Sequence, residues 1–258
     1  MTAQQPPTTG LEPTPYSVGS RAGAPEPVPA VVSLHLYGVD GIGMLRALGR
    51  MGLDRNRVRR IPGATFVKLL GTGSGRTFTM RDADPHHWGV LVCWRDADGP
   101  ARYEMSRSHD AWSHLAHEQA RILMRPLSSR GTWATRTPFG DPVPHRWDGR
   151  VAAVTRARIS PSQWRTFWSA VPPVSTDLRD VDGLDLALGI GEAPVGLQGT
   201  FSLWRTGSAL SEFAHRRSPH QEVVRRTHET GWYAEELFAR LAVVDATGRY
   251  AGRDLSAL

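Results

Sequence analysis

Ala187-Leu-Gly-Ile-Gly-Glu-Ala-Pro194 leads into Gln198-Gly-Thr-Phe-Ser-Leu-Trp204. The first piece is an apolar run ending on glycines. The second alternates: Leu197, Phe201 and Leu203 fall on one side, Gln198, Thr200 and Ser202 on the other. That period of two marks a strand with unlike faces. A fainter copy lies upstream. Leu69-Leu-Gly-Thr-Gly73 matches Ala187-Leu-Gly-Ile-Gly191, Trp94 matches Trp204, and Ser108-His109 matches Pro219-His220. The spacing from Trp94 to His109 is within one residue of that from Trp204 to His220. The chain reads as a duplication.

Each copy has the same order of elements. In the first, strands are expected at 31–37, 64–71, 88–94 and 121–125, with helices at 42–51 and across 100–120. In the second, strands are expected at 151–159, 184–190, 197–204 and 241–244. Its helices are expected from Ser160-Pro161, near 207–215, and across 219–240, where Glu236 and Arg240 would form an i, i+4 pair. Pro161 suits a first helical position, where its missing N–H is not needed. The β-α-β-β-α-β order is ferredoxin-like. The predicted fold is therefore α+β: two tandem ferredoxin-like βαββαβ halves, 31–131 and 151–258, forming an intrachain α+β barrel. Residues 132–150, with Pro138, Pro142 and Pro144, read as a linker. Residues 1–30, rich in Pro, Thr, Gly and Ala, read as a disordered tail.

The 258 residues are 40% hydrophobic and 22% charged, a globular balance. The net charge of +6 rests on arginine, since Lys68 is the only lysine. The arginines are scattered, which argues against nucleic acid, whereas the net charge favours a peripheral contact with an acidic membrane surface. A lone Cys93, mid-strand, excludes an intrachain disulfide and reads as a small apolar residue. No run is long and apolar enough for a membrane span, and no signal pattern opens the chain, so a cytoplasmic protein is expected.

Candidate chemistry concentrates in the second half. Ser218, Pro219 and Gln221 form a capping signature that fixes His220 in the first turn of a helix. There it shares an apolar face with Val223, Val224 and Thr227. A neutral imidazole so placed suits a buried core position or an axial ligand to haem iron. The Gln198, Thr200 and Ser202 face either meets solvent or, in a closed barrel, lines an internal cavity. Arg156, in Thr155-Arg-Ala-Arg158, is a candidate cation for a propionate or a bound oxygen species, or half of a surface ion pair. In the first half His109 is the twin of His220, and His114 and His117 share its helix without an acidic cluster to complete a metal site. Gly71-Thr-Gly-Ser-Gly75 lacks the ending of a phosphate loop, and there is no Gly-x-Ser-x-Gly elbow.

Several of these pieces together resemble the spheroidene monooxygenase family of carotenoid ketolases. They are Thr155-Arg-Ala-Arg158, Gly189-Ile-Gly-Glu-Ala-Pro194 with Gln198–Trp204, Phe213-Ala-His-Arg216 with Pro219-His220, Trp232-Tyr-Ala-Glu-Glu-Leu-Phe-Ala-Arg240 and Gly248-Arg-Tyr-Ala-Gly252. The resemblance covers most of 31–255 and departs from the family at His215, Leu241 and Tyr250, where Tyr, Phe and Trp are expected. It implies a haem-dependent monooxygenase acting on an apolar carotenoid or secondary metabolite. It also implies a scaffold like that of dimeric α+β barrel haem proteins, in which a helix histidine of the C-terminal half holds the iron. That role falls on His220, with haem b as the cofactor. Thr200 and Val224 are expected beside the cofactor, and Arg156, Gln198 and Ser202 nearest the reaction. Expected partners are the apolar substrate, an electron donor and a second copy of the chain. The competing expectations are another haem reaction (dehydratase or peroxidase-like), a cofactor-free oxygenase, and a non-catalytic barrel that binds a hydrophobic ligand.

Overall fold

A computed structural model describes residues 26–73, 83–159, 181–192, 199–216 and 233–257. The first half comprises β1 (Val31–Val39), α1 (Gly41–Arg59), β2 (Ala64–Gly73), β3 (Ala83–Trp94), α2 (Gly99–Glu104), α3 (Arg107–Ser113) and β4 (Ala116–Gly131). The second comprises β5 (Val151–Ile159), β6 (Leu184–Gly191), β7 (Gly199–Trp204), α4 (Gly207–Arg216), β8 (Tyr233–Tyr250) and the short β9 (Arg253–Asp254). The strands run in the order β4-β1-β3-β2-β6-β7-β5-β8-β9, and a further β4–β8 pairing closes β1 to β8 into a ring. The first half has the ferredoxin-like order, and β5, β6, β7, α4 and β8 take the corresponding places in the second; the helices expected from Ser160 and from 219 lie outside the described residues, save 233–240. The fold is the α+β barrel expected from the duplication.

The register carries the two-fold relation. Val31 lies opposite Trp94 and Val151 opposite Trp204, which makes β1 the twin of β5 and β3 the twin of β7. Extending that match across each sheet pairs Gly71 with its own twin Gly191 at the β2–β6 seam. Arg125 likewise pairs with its twin Ala242 at the β4–β8 seam. This register corrects the glycine match: Leu69 corresponds to Gly189, two residues beyond the alignment by glycine spacing.

Alternation along the strands sorts side chains into an inner and an outer set. Val32, Leu34 and Leu36 of β1 point inward with Ala152 and Val154 of β5, Phe201 and Leu203 of β7 and Leu237, Ala239 and Leu241 of β8, forming one shared interior. The outer face of the first half packs under α1 to α3 around Val67, Val90, Val92, Trp94 and Trp112. The outer face of the second half meets α4 through Trp204, Val151 and Leu210.

Several expected elements differ. Residues 233–240 form the start of β8 instead of a helix end. Their local propensity suits a helix, but Leu237, Ala239 and Leu241 alternate into the core while both backbone edges pair, with β5 and with β4. Tertiary pairing outweighs the weak local preference, and the supposed Glu236–Arg240 helix pair does not exist. Likewise α3 ends at Ser113 and β4 begins at Ala116, because Ala120, Ile122 and Met124 reach the interior at strand period. His114 therefore caps α3 and His117 lies in a strand beside Asp40, 3.2 Å away, so the two do not share a helix face. The segment 132–150 is packed: Trp133 and Phe139 belong to the barrel core. Within the expected tail, Glu26 meets the guanidinium of Arg136 through both carboxylate oxygens. Cys93 is buried in the core, and burial pushes its thiol far up, as suits an inert apolar residue.

Candidate functional site

Across β6, β7 and β5 the second-half sheet presents an outer face of small and hydroxylated residues, bordered on β8 by Arg240 and Phe238. Directly opposed residues on paired strands share a face. One outer row is Ala187, Ser202, Ala153 and Arg240; the next is Gly189, Thr200, Thr155 and Phe238. The corresponding rows of the first half are Val67, Val92, Ser33 and Leu123, then Leu69, Val90, His35 and Arg121. Val67, Leu69, Val90 and Val92 are fully packed beneath α1 to α3. Their twins Ala187, Thr200 and Ser202 are only half-buried. The exchange from Leu69 to Gly189 and from Val67 to Ala187 removes bulk. The exchange from Val90 to Thr200 and from Val92 to Ser202 adds hydroxyls.

The two halves also differ in their rings. In the first half His35 and Tyr37 stand on the outer face of β1 and enclose His109 together with Tyr103. Ring centroids lie 6.0 Å from His109 for His35, 6.3 Å for Tyr37 and 5.5 Å for Tyr103. The hydroxyls of Tyr37 and Tyr103 are 3.0 Å apart. The twins of His35 and Tyr37 in β5 are Thr155 and Ala157. The side chains that occupy the ground in front of His109 thus have no bulky counterpart on β5. What remains in the first half is a cleft of about 310 Å³ bordered by His35, Tyr37, Glu104, His109 and Arg121.

The first-half polar groups are largely committed to one another. His35 Nε2 lies 3.3 Å from Glu104 Oε1, and Arg121 bridges Glu104 at 2.9 Å and Asp245 at 2.7 Å. Burial lowers the His35 pKa, against the pull of Glu104, and favours the neutral ring. The Glu104 carboxyl is held down to about 2, first by its contact with His35 and then by Arg121.

Inside the barrel, on the opposite face of the second-half sheet, lies a charged cluster. Arg156 is buried; its Nη1 donates to Glu235 Oε2 at 2.6 Å and its Nη2 to Glu192 Oε1 at 3.2 Å. Trp133 Nε1 donates to the same Glu192 oxygen at 2.5 Å, and Lys68 Nζ donates to the other. Thr135 N donates to Glu235 Oε1 at 2.6 Å. The cluster joins β2, β5, β8 and the end of β6 to the 132–136 turn at one end of the barrel. Burial lowers the Lys68 pKa, and the Glu192 contact opposes it. Burial likewise works against ionised Glu192, but Lys68, Trp133 and Arg156 more than offset it and hold its carboxyl below the ordinary range.

The expected site residues divide accordingly. Thr200 and Ser202 share the outer face, where the Ser202 hydroxyl accepts from Trp204 Nε1 at 2.9 Å. Of the two alternatives for their face, solvent side or internal cavity, the closed barrel takes the outer one. Phe201 and Leu203 take the interior because it is an apolar core, where an unpaired hydroxyl is costly. Arg156 lies on the inner face, bound to carboxylates and separated from Thr200 and Ser202 by the sheet. Gln198, His220 and Val224 fall outside the described residues. Lys68, Glu192, Glu235 and Trp133 were missed as a group. One signal was available: Lys68 shares its period with Phe66 and Leu70, and a lysine on a core face demands a carboxylate.

No family model matches the chain. Among solved structures, an aldoxime dehydratase superposes over 92% of this chain and 90% of its own with a TM-score of 0.56 at 11% identity, a likeness of fold. Spheroidene monooxygenase of Rhodobacter capsulatus is 34% identical over 87% of this chain and 94% of its own length. That of Rubrivivax gelatinosus is 35% identical over 86% of each. With the duplicated barrel and the quoted motifs in place, these identities make the chain a member of the spheroidene monooxygenase family.

Proposed function

We propose that this monooxygenase is haem-dependent and oxidises an apolar molecule of the spheroidene kind, with haem b against the outer face of the second-half sheet. One observation carries the reading: at matched positions, the bulky Val67, Leu69, His35 and Tyr37 of the first half become Ala187, Gly189, Thr155 and Ala157. A flat face of small residues with hydroxyls suits a planar group that must lie close to the backbone. His220 is the residue we assign to the iron, and Val224 to the same side of the cofactor. Bound haem supplies the iron centre at which dioxygen is activated.

The chain's own contribution is binding and exclusion. The Thr155, Thr200 and Ser202 hydroxyls offer hydrogen bonds toward polar atoms at the sheet, with Gln198 assigned to the same edge. Trp204, Val151 and Leu210 form a dry boundary at one end of the face. The interior supports this placement over a ligand inside the barrel: Trp133, Phe139, Phe201, Leu34, Leu36 and Leu70 fill it. Arg156 then acts at a distance, fixing the strand that carries Thr155.

The absorption spectrum of the purified protein, reconstituted with haem, tests the proposal. A Soret band is expected, together with oxidation of the apolar substrate by labelled dioxygen and a reductant. In His220→Ala the band should shift or vanish while the far-ultraviolet circular dichroism is unchanged. A haem-free protein that still oxidises substrate would overturn the reading, as would an unaltered band in the variant.

A further inference from the structure

Helix α1 is docked by few residues. Only Ala47, Asp54 and Val58 are buried along its 19 residues. At about 100° per residue, these three define one narrow stripe. Ile42, Leu45 and Leu53 lie on the opposite arc and are 81%, 73% and 63% exposed, and Leu48 borders them at 42%. Such large aliphatic side chains clustered on one exposed face need a reason.

The charges around that arc have one sign. Arg46 and Arg57 project on one flank, Arg55 and Arg59 on the other, all exposed. Asp54 is the helix's only acid; it is buried and bonded to Arg50 and Arg57 at 3.2 and 3.0 Å. Asp40, just before the helix, faces His117 at 3.2 Å. An aliphatic crest between two rows of arginines, with no acid exposed within the helix and only Asp40 exposed just before it, matches a surface that is apolar below and anionic above. We infer that α1 is a membrane-docking helix that lies in the plane of an anionic bilayer surface, aliphatic side chains among the acyl chains and guanidinium groups at the phosphates. A second copy of the chain is a poorer occupant, since it would bring arginines against arginines. Nucleic acid would leave the crest unused. No helix among the described residues is long and apolar enough to cross a membrane, so α1 rests on the surface. The inference does not depend on the haem assignment.

Vesicle flotation of the intact protein tests it, with phosphatidylcholine vesicles and with vesicles of phosphatidylcholine and phosphatidylglycerol. Wild type should float with the mixed vesicles, less so as salt rises, and weakly with the neutral ones. Ile42→Ser/Leu45→Ser/Leu53→Ser should abolish flotation. Arg46→Gln/Arg55→Gln/Arg59→Gln should weaken partitioning about a hundredfold. Circular dichroism and thermal unfolding should be unchanged in both, because every substituted side chain is exposed. Wild type that ignores the mixed vesicles overturns the inference. So does flotation that survives loss of the aliphatic crest, which would be mere adsorption. A dimer that the aliphatic variant dissociates, without vesicle binding by wild type, assigns the crest to a second copy instead.

Discussion

The two halves share one backbone plan and one interior, yet their outer faces have diverged. Under α1 to α3 the first half packs Val67, Leu69, Val90 and Val92 to near-zero exposure and sets His35 and Tyr37 around His109. At the same register the second half offers Ala187, Gly189, Thr200, Ser202, Thr155 and Ala157. In a duplicated fold, interior positions are constrained by both halves at once, because the inner side chains of both belong to one core. Outer positions answer only to their own helices. One copy was therefore free to become a filled wall, while the other kept the face of small and hydroxylated residues against which we propose the haem.

The largest effect is expected from converting the second face into the first. Ala187→Val/Gly189→Leu/Thr200→Val/Ser202→Val should abolish haem uptake, read as loss of the Soret band after reconstitution, with the barrel still folded by circular dichroism. Retained haem in this variant would place the cofactor elsewhere.

The reverse exchange asks how closed the first face is. Val90 and Val92 are each 0% exposed. Val90→Thr/Val92→Ser leaves two hydroxyls beneath the helices without planned partners and should lower the free energy of unfolding by about 4 kcal/mol. It should gain no haem, since His35, Tyr37 and Tyr103 still occupy the ground before His109. A cost below about 1 kcal/mol, within the range of surface substitutions, would mean that the first face is also loosely filled.

The shared interior provides a control that touches neither face. Glu192→Gln removes the carboxylate that accepts from Lys68, Arg156 and Trp133. Lys68 is left at 3% exposure with a much weaker partner. A loss of roughly 3 kcal/mol is expected in denaturant unfolding. Lys68→Met in the same background should recover part of it, because the stranded charge goes with the lysine. An unchanged midpoint in Glu192→Gln would show that the cluster only decorates the barrel end.

The duplication was legible because Trp94 and Trp204 close matched strand ends; the glycine runs signalled it too, but placed the match two residues away from the register the sheet adopts. Thr200 and Ser202 could be set on one face of a strand. Which face met the core could not be read from them, because the partner's inner residues, Leu34 and Leu36 among them, lie far away in the chain. The start of β8 at 233–240 was hidden by helix-favouring residues whose fate is decided by pairing with β4 and β5. The Lys68–Glu192–Arg156–Glu235 cluster was hidden because three members come from three strands and Glu192 from just beyond a fourth, and only closure of the barrel brings them together.

The smallest effect concerns the histidines of the first half, for which this comparison predicts a role in stability. His87 sits between Asp84, 2.6 Å from Nδ1, and Glu118, 2.9 Å from Nε2. Its pKa is raised from 6.5, first by Asp84, with burial opposing and Glu118 assisting. A histidine whose folded pKa exceeds the unfolded value adds stability that is whole below the unfolded pKa and is lost as pH rises through the folded one. Thermal unfolding of the wild type should therefore weaken modestly as pH climbs past about 6.5, and His87→Gln should flatten that part of the profile. Glu118 also accepts from the backbone N–H groups of Ala251 and Gly252, at 2.6 and 3.1 Å. The same titration should thus loosen the end of β8, visible as faster amide exchange at those two residues. The haem spectrum should not follow it, because a first-half histidine whose loss alters only stability is what separates the filled face from the binding one.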